Sequence, residues 1–342
     1  MIKAFAALKP GGKLEPYEYD PGFLADEEVE IKVEHCGICH SDLSMLNNEW
    51  GITSYPFVPG HEVIGLVCAV GKGVAAASAE QKLAVGQRVG LGWHAGYCNQ
   101  CHSCHSGDQN LCHQATGTIV GRHGGFADKV RAHMTSVIAL PEGLEPQSSG
   151  PLFCGGITVF NPLVQFDIKP TAKVAVIGIG GLGHIALQIL NAWGCQVTAF
   201  TSSETKAQEA RTLGAHQTIS SVDEQQLMDA AGQFDLVLST VNVDLDWQAY
   251  INTLKPKGRL HFVGAVLSPV KLSVFPLIGN QISISGSPVG SPATIASMLD
   301  FCQRHDIKPS IETFSFTDIN AAMTRVEEGN VRYRAVLTHD KY

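Results

Sequence analysis

The chain has 342 residues, 44% hydrophobic and 16% charged, enough for about two domains of roughly 150 residues each and too apolar for a disordered polypeptide. A formal charge of −8 with no basic run excludes nucleic acid as a partner, because phosphate binding calls for clustered Lys and Arg. Residues 1–9 carry no signal-peptide pattern and no apolar run suits a membrane span. Ten cysteines without such a signal point to a reducing, cytoplasmic setting, where clustered thiols serve metals or catalysis more often than disulfides.

Residues 1–150 read as mostly β. Val29, Ile31 and Val33 alternate with charged neighbours, the period of a half-buried strand. Further β-branched segments follow at Glu62–Val70, Gln87–Leu91 and Phe126–Ala132, divided by turns at Pro59-Gly60 and Gly71-Lys72-Gly73. The small-residue patch Ala75–Ala79 reads as an exposed loop.

Beyond residue 150 short apolar runs alternate with helical stretches. Strands are expected at Lys173–Gly178, Gln196–Phe200, Gln217–Ser220, Phe234–Thr240, Arg259–Val263 and Gln281–Ser285. Between the first five lie helices over Leu182–Trp193, Glu204–Leu213, Glu224–Ala231 and Trp247–Leu254. This alternation predicts an α/β, doubly wound parallel sheet of the dinucleotide-binding kind. A helix over Thr294–Arg304 and a strand near Arg334–Leu337 close the chain, and the pattern leaves open which core they join.

Cys98, Cys101, Cys104 and Cys112 form C-x2-C-x2-C-x7-C. Four thiolates on so short a loop suit a closed tetrahedral zinc site. An iron–sulfur cluster is the rival, but bacterial ferredoxin runs place the fourth cysteine three residues on and follow it with proline. Here His113 follows Cys112. With four thiolates available, His94, His102, His105 and His113 read as solvent-facing neighbours.

A second set is dispersed: Cys39 within Cys36-Gly37-Ile38-Cys39-His40-Ser41-Asp42, then Gly60-His61-Glu62, then Cys154 before Gly155-Gly156. Singly each is an ordinary buried cysteine or histidine. Together they supply the Cys2His donors of a catalytic zinc with one open position. Cys36 competes with Cys39 for the first place, and spacing does not choose between them.

Gly178-Ile179-Gly180-Gly181-Leu182-Gly183 follows a strand and opens an apolar helix, the context that makes a GxGxxG pattern specific for a pyrophosphate at a helix N-terminus. At the end of the next strand an NAD enzyme usually has an acid for the ribose 2′-hydroxyl. This chain has Thr201-Ser202-Ser203-Glu204-Thr205-Lys206: uncharged hydroxyls at Ser202 and Ser203, and Lys206 to pair with a 2′-phosphate. Glu204 falls further on, in a first helical turn where acids are common. The pocket therefore favours NADPH, with Glu204 keeping an NAD reading open.

The combination resembles the zinc-containing medium-chain alcohol dehydrogenases, closest to the cinnamyl-alcohol-dehydrogenase branch and its bacterial NADPH-dependent aldehyde reductases. The resemblance spans essentially the whole chain. It rests on Cys36–Leu43, Asn48-Glu49-Trp50-Gly51, Pro59–Val63, the four-cysteine loop, Cys154–Val159 and Gly178–Gly183. It implies a GroES-like, mainly β catalytic domain over 1–153 plus 290–342, and a Rossmann domain over 154–289. It selects Cys39 over Cys36 and completes the catalytic zinc set with His61 and Cys154. Glu62 becomes the acid that approaches the open position, Ser41 the proton relay, Asp42 a partner of the zinc ligands, and His40 a cofactor-phosphate contact. Thr158, Gly178, Gly180, Gly181, Leu182 and Gly183 fall where the cofactor is held, and Ser202, Ser203 and Lys206 match the NADP-type adenosine pocket. Many relatives carry a relay histidine three residues after the hydroxyl; this chain has Ser44.

The implied protein is an aldehyde reductase, reversibly an alcohol dehydrogenase, with two zinc ions per chain and NADPH, acting on a small-molecule aldehyde or alcohol. The resemblance also implies a homodimer joined near Gln281–Ser285. Trp50, Trp93 and, with less support, Ile119 are expected to line the substrate pocket. The rivals are an NAD-linked polyol or amino-alcohol dehydrogenase and a non-catalytic zinc scaffold of the same fold.

Overall fold

The computed structural model describes residues 1–77 and 83–339. The backbone clusters into two compact units, Met1–Ile157 with Gly290–Tyr342, and Thr158–Val289.

The first unit is built on a seven-stranded sheet. Its order runs Ile311–Ser315, Arg334–Thr338, Glu28–Ile38, Val63–Val70, Arg88–Leu91, Val137–Ala139, with Lys129–His133 also paired to Glu28–Ile38. Only the pairing of Ile311–Ser315 with Arg334–Thr338 is parallel. The alternation at Val29, Ile31 and Val33 works as the sequence suggests: all three are buried in the core while Lys32 is exposed. The closing strand pairs antiparallel with His35–Ile38, which puts the C-terminal segment in this core.

Three features of this unit depart from the sequence reading. The expected Gly71-Lys72-Gly73 turn is instead the start of a helix, Lys72–Ala76, with Val74 anchored in the core. That helix also takes up Ala75 and Ala76 of the expected loop, Ala77 caps it, and Ser78 and Ala79 lie outside the described residues. Helices His40–Leu46, Gly155–Gln165 (which continues past Ile157 into the second unit) and Ile319–Glu327 form where no helix was expected. The first is too short to show a period, and the second is disguised by its leading glycines.

The second unit is a six-stranded, all-parallel sheet in the order Gln217–Ser220, Gln196–Thr201, Lys173–Ile177, Phe234–Ser239, Leu254–Phe262, Ser283–Gly286. This is the doubly wound dinucleotide-binding order. The central strands are apolar without alternation because helices cover both faces; Val174, Ala175 and Val176 are all fully buried. Helix starts are set by side-chain caps. Ser203, Asp223 and Asp246 accept backbone N–H bonds ahead of Glu204–Thr212, Glu224–Asp229 and Trp247–Asn252, each cap contributing about 1 kcal/mol.

The expected helix Trp247–Leu254 stops at Asn252, and Leu254 already begins the next strand, five residues before the expected start at Arg259. A register irregularity between Phe234 and Leu236, which pair with Leu254 and Arg259, absorbs the residues between those two partners. Among the described residues no helix is long and apolar enough to cross a membrane.

Candidate active site

Within the first unit, Cys39, His61, Glu62 and Cys154 each offer a donor atom, and these atoms lie within 4.8 Å of one another. All four residues are buried. Cys39 precedes helix His40–Leu46, His61 and Glu62 lead into strand Val63–Val70, and Cys154 sits between the turn Gly150–Phe153 and helix Gly155–Gln165. Asp42 ties the first two segments together. Its carboxylate accepts from the Cys39 and Gly60 backbone N–H groups, each at 2.9 Å, and from His61 Nδ1 at 3.1 Å. The Nδ1 hydrogen bond turns His61 Nε2 toward Cys154 Sγ, 3.3 Å away, and Cys154 Sγ is 3.9 Å from Cys39 Sγ.

Those spacings fit zinc. Thiolates about 2.3 Å from a tetrahedral ion stand about 3.8 Å apart, close to the observed sulfur separation. Protonation is consistent with the same conclusion. The hydrogen bond from Cys154, together with Arg334 and His61, holds the Cys39 thiol well below its ordinary value against the effect of burial. Cys154 is pushed up by Cys39 and by burial. Burial opposes a charge on His61, but Asp42 and Cys39 outweigh it and raise the imidazole to about 10. Positive charge is thus stabilised where a cation would bind, and zinc would displace these protons.

Cys36 does not join the cluster. It is wholly buried in the core, with its Sγ 3.7 Å from the Gly37 carbonyl, and burial pushes its thiol up. Glu62 reaches the cluster while one carboxylate oxygen, Oε1, pairs with Arg334 in a buried ion pair, and Oε2 has no hydrogen-bond partner. Sequence reasoning missed Arg334. An arginine opening the apolar strand run Ala335-Val336-Leu337 was the available signal, since a buried charge requires a partner.

Trp93 packs edge-on against His61, with ring centroids 5.1 Å apart, and Trp50 packs edge-on against Trp93 at 6.0 Å. Both tryptophans are part-exposed, so an apolar surface extends from the ligand cluster. Ile119 is different: at 1% exposure it belongs to the hydrophobic core of the unit and presents no surface to a substrate, which corrects the expectation for it. Ser41 and His40 open helix His40–Leu46, Ser41 half-buried and His40 exposed, while Ser44 is buried on the same helix.

The Cys98, Cys101, Cys104 and Cys112 sulfurs also converge within 4.8 Å. Three of their separations are 3.9, 3.6 and 3.5 Å, close to the sulfur–sulfur spacing a tetrahedral zinc ion would require. Backbone N–H groups of Gln100 and Cys101 hold Cys98 at about 6, and burial raises Cys104 to about 12. His102, His105 and His113 are exposed, as expected. His94 is only half-exposed: it packs on Tyr97 at 5.3 Å, and burial pulls its imidazole down to about 4. All ten cysteines are free thiols.

In the second unit, the glycine turn links strand Lys173–Ile177 to helix Gly183–Trp193. Gly178 has φ +88°, and a Cβ on Gly183 would strike the Gly178 carbonyl, so both positions demand glycine. A Cβ on Gly180 would project into open space. The first N–H groups of an α-helix lack intrahelical acceptors, so this turn fits a dinucleotide pyrophosphate. Thr158 is buried near the start of the unit. At the end of strand Gln196–Thr201, Ser202, Ser203 and Lys206 are exposed together, and Ser203 Oγ accepts from the Lys206 backbone N–H at 3.4 Å. The Glu204 carboxylate pairs instead with Arg211 at 3.5 Å.

Residues 25–142 match the family profile of the alcohol dehydrogenase GroES-like domain, and 181–304 that of the zinc-binding dehydrogenases. The chain is 60% identical over 341 residues to aldehyde reductase AdhA of Synechocystis sp., covering 100% of both chains. A solved cinnamyl alcohol dehydrogenase from Sorghum bicolor superposes with a TM-score of 0.93 at 35% identity, covering 98% of this chain and 97% of that one. A CAD from Helicobacter pylori, complexed with NADP(H), superposes at 0.89 and 28% identity with the same coverage.

Proposed function

This chain belongs to the zinc-containing medium-chain alcohol dehydrogenases, in the cinnamyl-alcohol-dehydrogenase-like branch, and we propose that it is an NADPH-linked aldehyde reductase that runs in reverse as an alcohol dehydrogenase. The convergence of Cys39, His61 and Cys154 carries this reading, because a scaffold would need only the four-cysteine loop. The relative at 60% identity is an aldehyde reductase by name, which supports the direction.

Cys39 Sγ, His61 Nε2 and Cys154 Sγ would hold one zinc, and the four-cysteine loop a second. When bound at the first site, zinc would supply Lewis acidity toward an aldehyde oxygen, and NADPH held at the glycine turn would supply the hydride. Asp42 keeps the His61 ring in its ligating orientation, the usual task of a carboxylate behind a metal histidine. Trp93 and Trp50 offer flat apolar area to the substrate and exclude water from one side. Ser41 Oγ passes a proton to the former carbonyl oxygen. Because Ser44 stands where relatives place a histidine, water resupplies that proton.

Ser41→Ala should lower turnover by about 10²–10⁴-fold at neutral pH, the usual contribution of general acid catalysis. Single-turnover measurement with hydride transfer limiting is the check, and an unchanged rate there removes Ser41 from the mechanism. The reaction itself is tested by a panel of aldehydes with NADPH against NADH, alongside zinc analysis. Two zinc ions per chain with NADPH-preferring turnover is the expected result. A single zinc ion with no turnover of any aldehyde would leave only the scaffold reading.

We also propose a homodimer through the edge strand Ser283–Gly286, which among the described residues pairs on one side only. Helix Val274–Asn280 lies just before it in the chain and exposes Val274, Phe275 and Ile278; Ile284 on the strand itself is also exposed. Natural proteins seldom leave such an edge and such apolar side chains uncovered. Sedimentation should give twice the chain mass, and Phe275→Glu should shift it toward the monomer. A monomeric wild-type chain would discard the proposal.

A further inference from the structure

A turn rich in glycine has little intrinsic preference for one shape, so the orientation of its amides must be imposed from outside. Two side chains bond carbonyls of Gly178–Gly183: Thr240 Oγ1 donates to the Gly178 carbonyl at 2.7 Å, and the adjoining histidine reaches that of Gly180. His184, one residue into helix Gly183–Trp193, is fully buried, and burial keeps its imidazole neutral by lowering it to about 4. A neutral imidazole has one N–H. His184 Nδ1 lies 3.0 Å from the Gly180 carbonyl oxygen, which only accepts, so Nδ1 carries the hydrogen and donates it. The same carbonyl also accepts from the His184 backbone N–H at 3.1 Å.

In a planar trans peptide the C=O of one residue and the N–H of the next point in opposite directions. Drawing the Gly180 carbonyl onto His184 therefore turns the Gly181 N–H away from the helix. A histidine is a costly way to fill a helix core, since an unpaired buried polar group is destabilising. Leucine would occupy similar space without that requirement.

We propose that His184 is a positioning residue for the cofactor pyrophosphate, its imidazole clamping the Gly180 carbonyl so that the turn's amides face the anion. The proposal rests on the reading of this turn as the NADPH site.

Its test compares wild type, His184→Leu and His184→Asn as zinc-loaded protein. The asparagine side chain can place an amide N–H close to the imidazole Nδ1 position, whereas leucine removes the donor. Dissociation constants are measured for NADPH and for adenosine 2′-monophosphate, which carries the 2′-phosphate but no pyrophosphate, and thermal unfolding is followed without ligand. His184→Leu should weaken NADPH about tenfold, the loss from about one hydrogen bond's worth of orientation. It should leave the monophosphate unchanged, and His184→Asn should recover most of the loss. Unchanged NADPH binding in the leucine variant overturns the proposal. So does an equal loss of both ligands with a lowered melting temperature in both variants, which marks a merely structural histidine. Failure of the wild type to bind NADPH overturns the underlying reading, and the proposal with it.

Discussion

Cys39→Ser and Cys154→Ser proteins should fold and retain NADPH binding, yet reduce aldehydes on the order of 10³-fold more slowly. Lewis-acid stabilisation of a carbonyl oxygen is worth several kcal/mol, at about one decade of rate per 1.36 kcal/mol. Losing one thiolate either empties the centre or leaves it more positively charged and poorly shaped. The fold should survive because Cys39 and Cys154 lie in segments already held by Asp42 and by backbone pairing, including the Cys39 N–H bond to Asp42 at 2.9 Å. Cys104→Ser should behave in the opposite way. Its lobe has a small apolar cluster of Tyr97, Cys104 and Cys112, so bound metal supplies much of its folding energy. A lower melting temperature and loss of one zinc should come first, with activity falling only as a consequence. Zinc analysis, thermal unfolding and steady-state rates on the three variants check the contrast. Near-normal turnover by a Cys39→Ser protein shown to have lost one zinc would refute the assignment.

Wild-type protein should prefer NADPH to NADH by about 10²-fold, and Ser202→Asp should reverse or erase that preference. Ser202, Ser203 and Lys206 are exposed together where the second strand of the dinucleotide fold ends. Their hydroxyls and ammonium suit a 2′-phosphate through charge-assisted hydrogen bonds. Two decades correspond to about 2.8 kcal/mol, within reach of two or three such contacts. An aspartate at 202 would accept from a ribose 2′-hydroxyl and repel a phosphate. Lys206→Ala should weaken NADPH while sparing NADH. Glu204→Ala is the control: its carboxylate is engaged by Arg211 at 3.5 Å, so neither cofactor should respond. Binding constants for both cofactors across the four proteins decide the matter. NADH preferred by the wild type and lost in Glu204→Ala would assign the pocket to NAD.

Much of the fold is legible in the sequence because its signals are local. Alternation at Val29–Val33 and the unbroken apolar strands around Val174–Val176 operate over a few residues. The four-cysteine spacing and the strand–glycine–helix pattern are local in the same sense, since a loop of that length can reach one ion and a turn of that composition can reach one phosphate. Short helices escaped detection. Lys72–Ala76 and His40–Leu46 are held by what they pack against rather than by propensity, which is weak at that length.

The catalytic cluster lies at the other extreme. His61 and Cys154 are separated by 93 positions, and Glu62 and Arg334 by 272. Residue spacing left Cys36 and Cys39 as equal candidates, and resemblance to a family chose between them. Tertiary structure supplies the physical reason: strand Glu28–Ile38 directs Cys36 into the core, while Asp42 holds Cys39 beside His61. The same packing buries Ile119 and leaves His94 half-buried against Tyr97, removing Ile119 from the substrate surface and His94 from full solvent contact. The sequence thus determined the chemistry available, through residue types at short spacings. Packing alone decided which of those residues meet, because burial and distant contacts depend on how the whole chain closes around them.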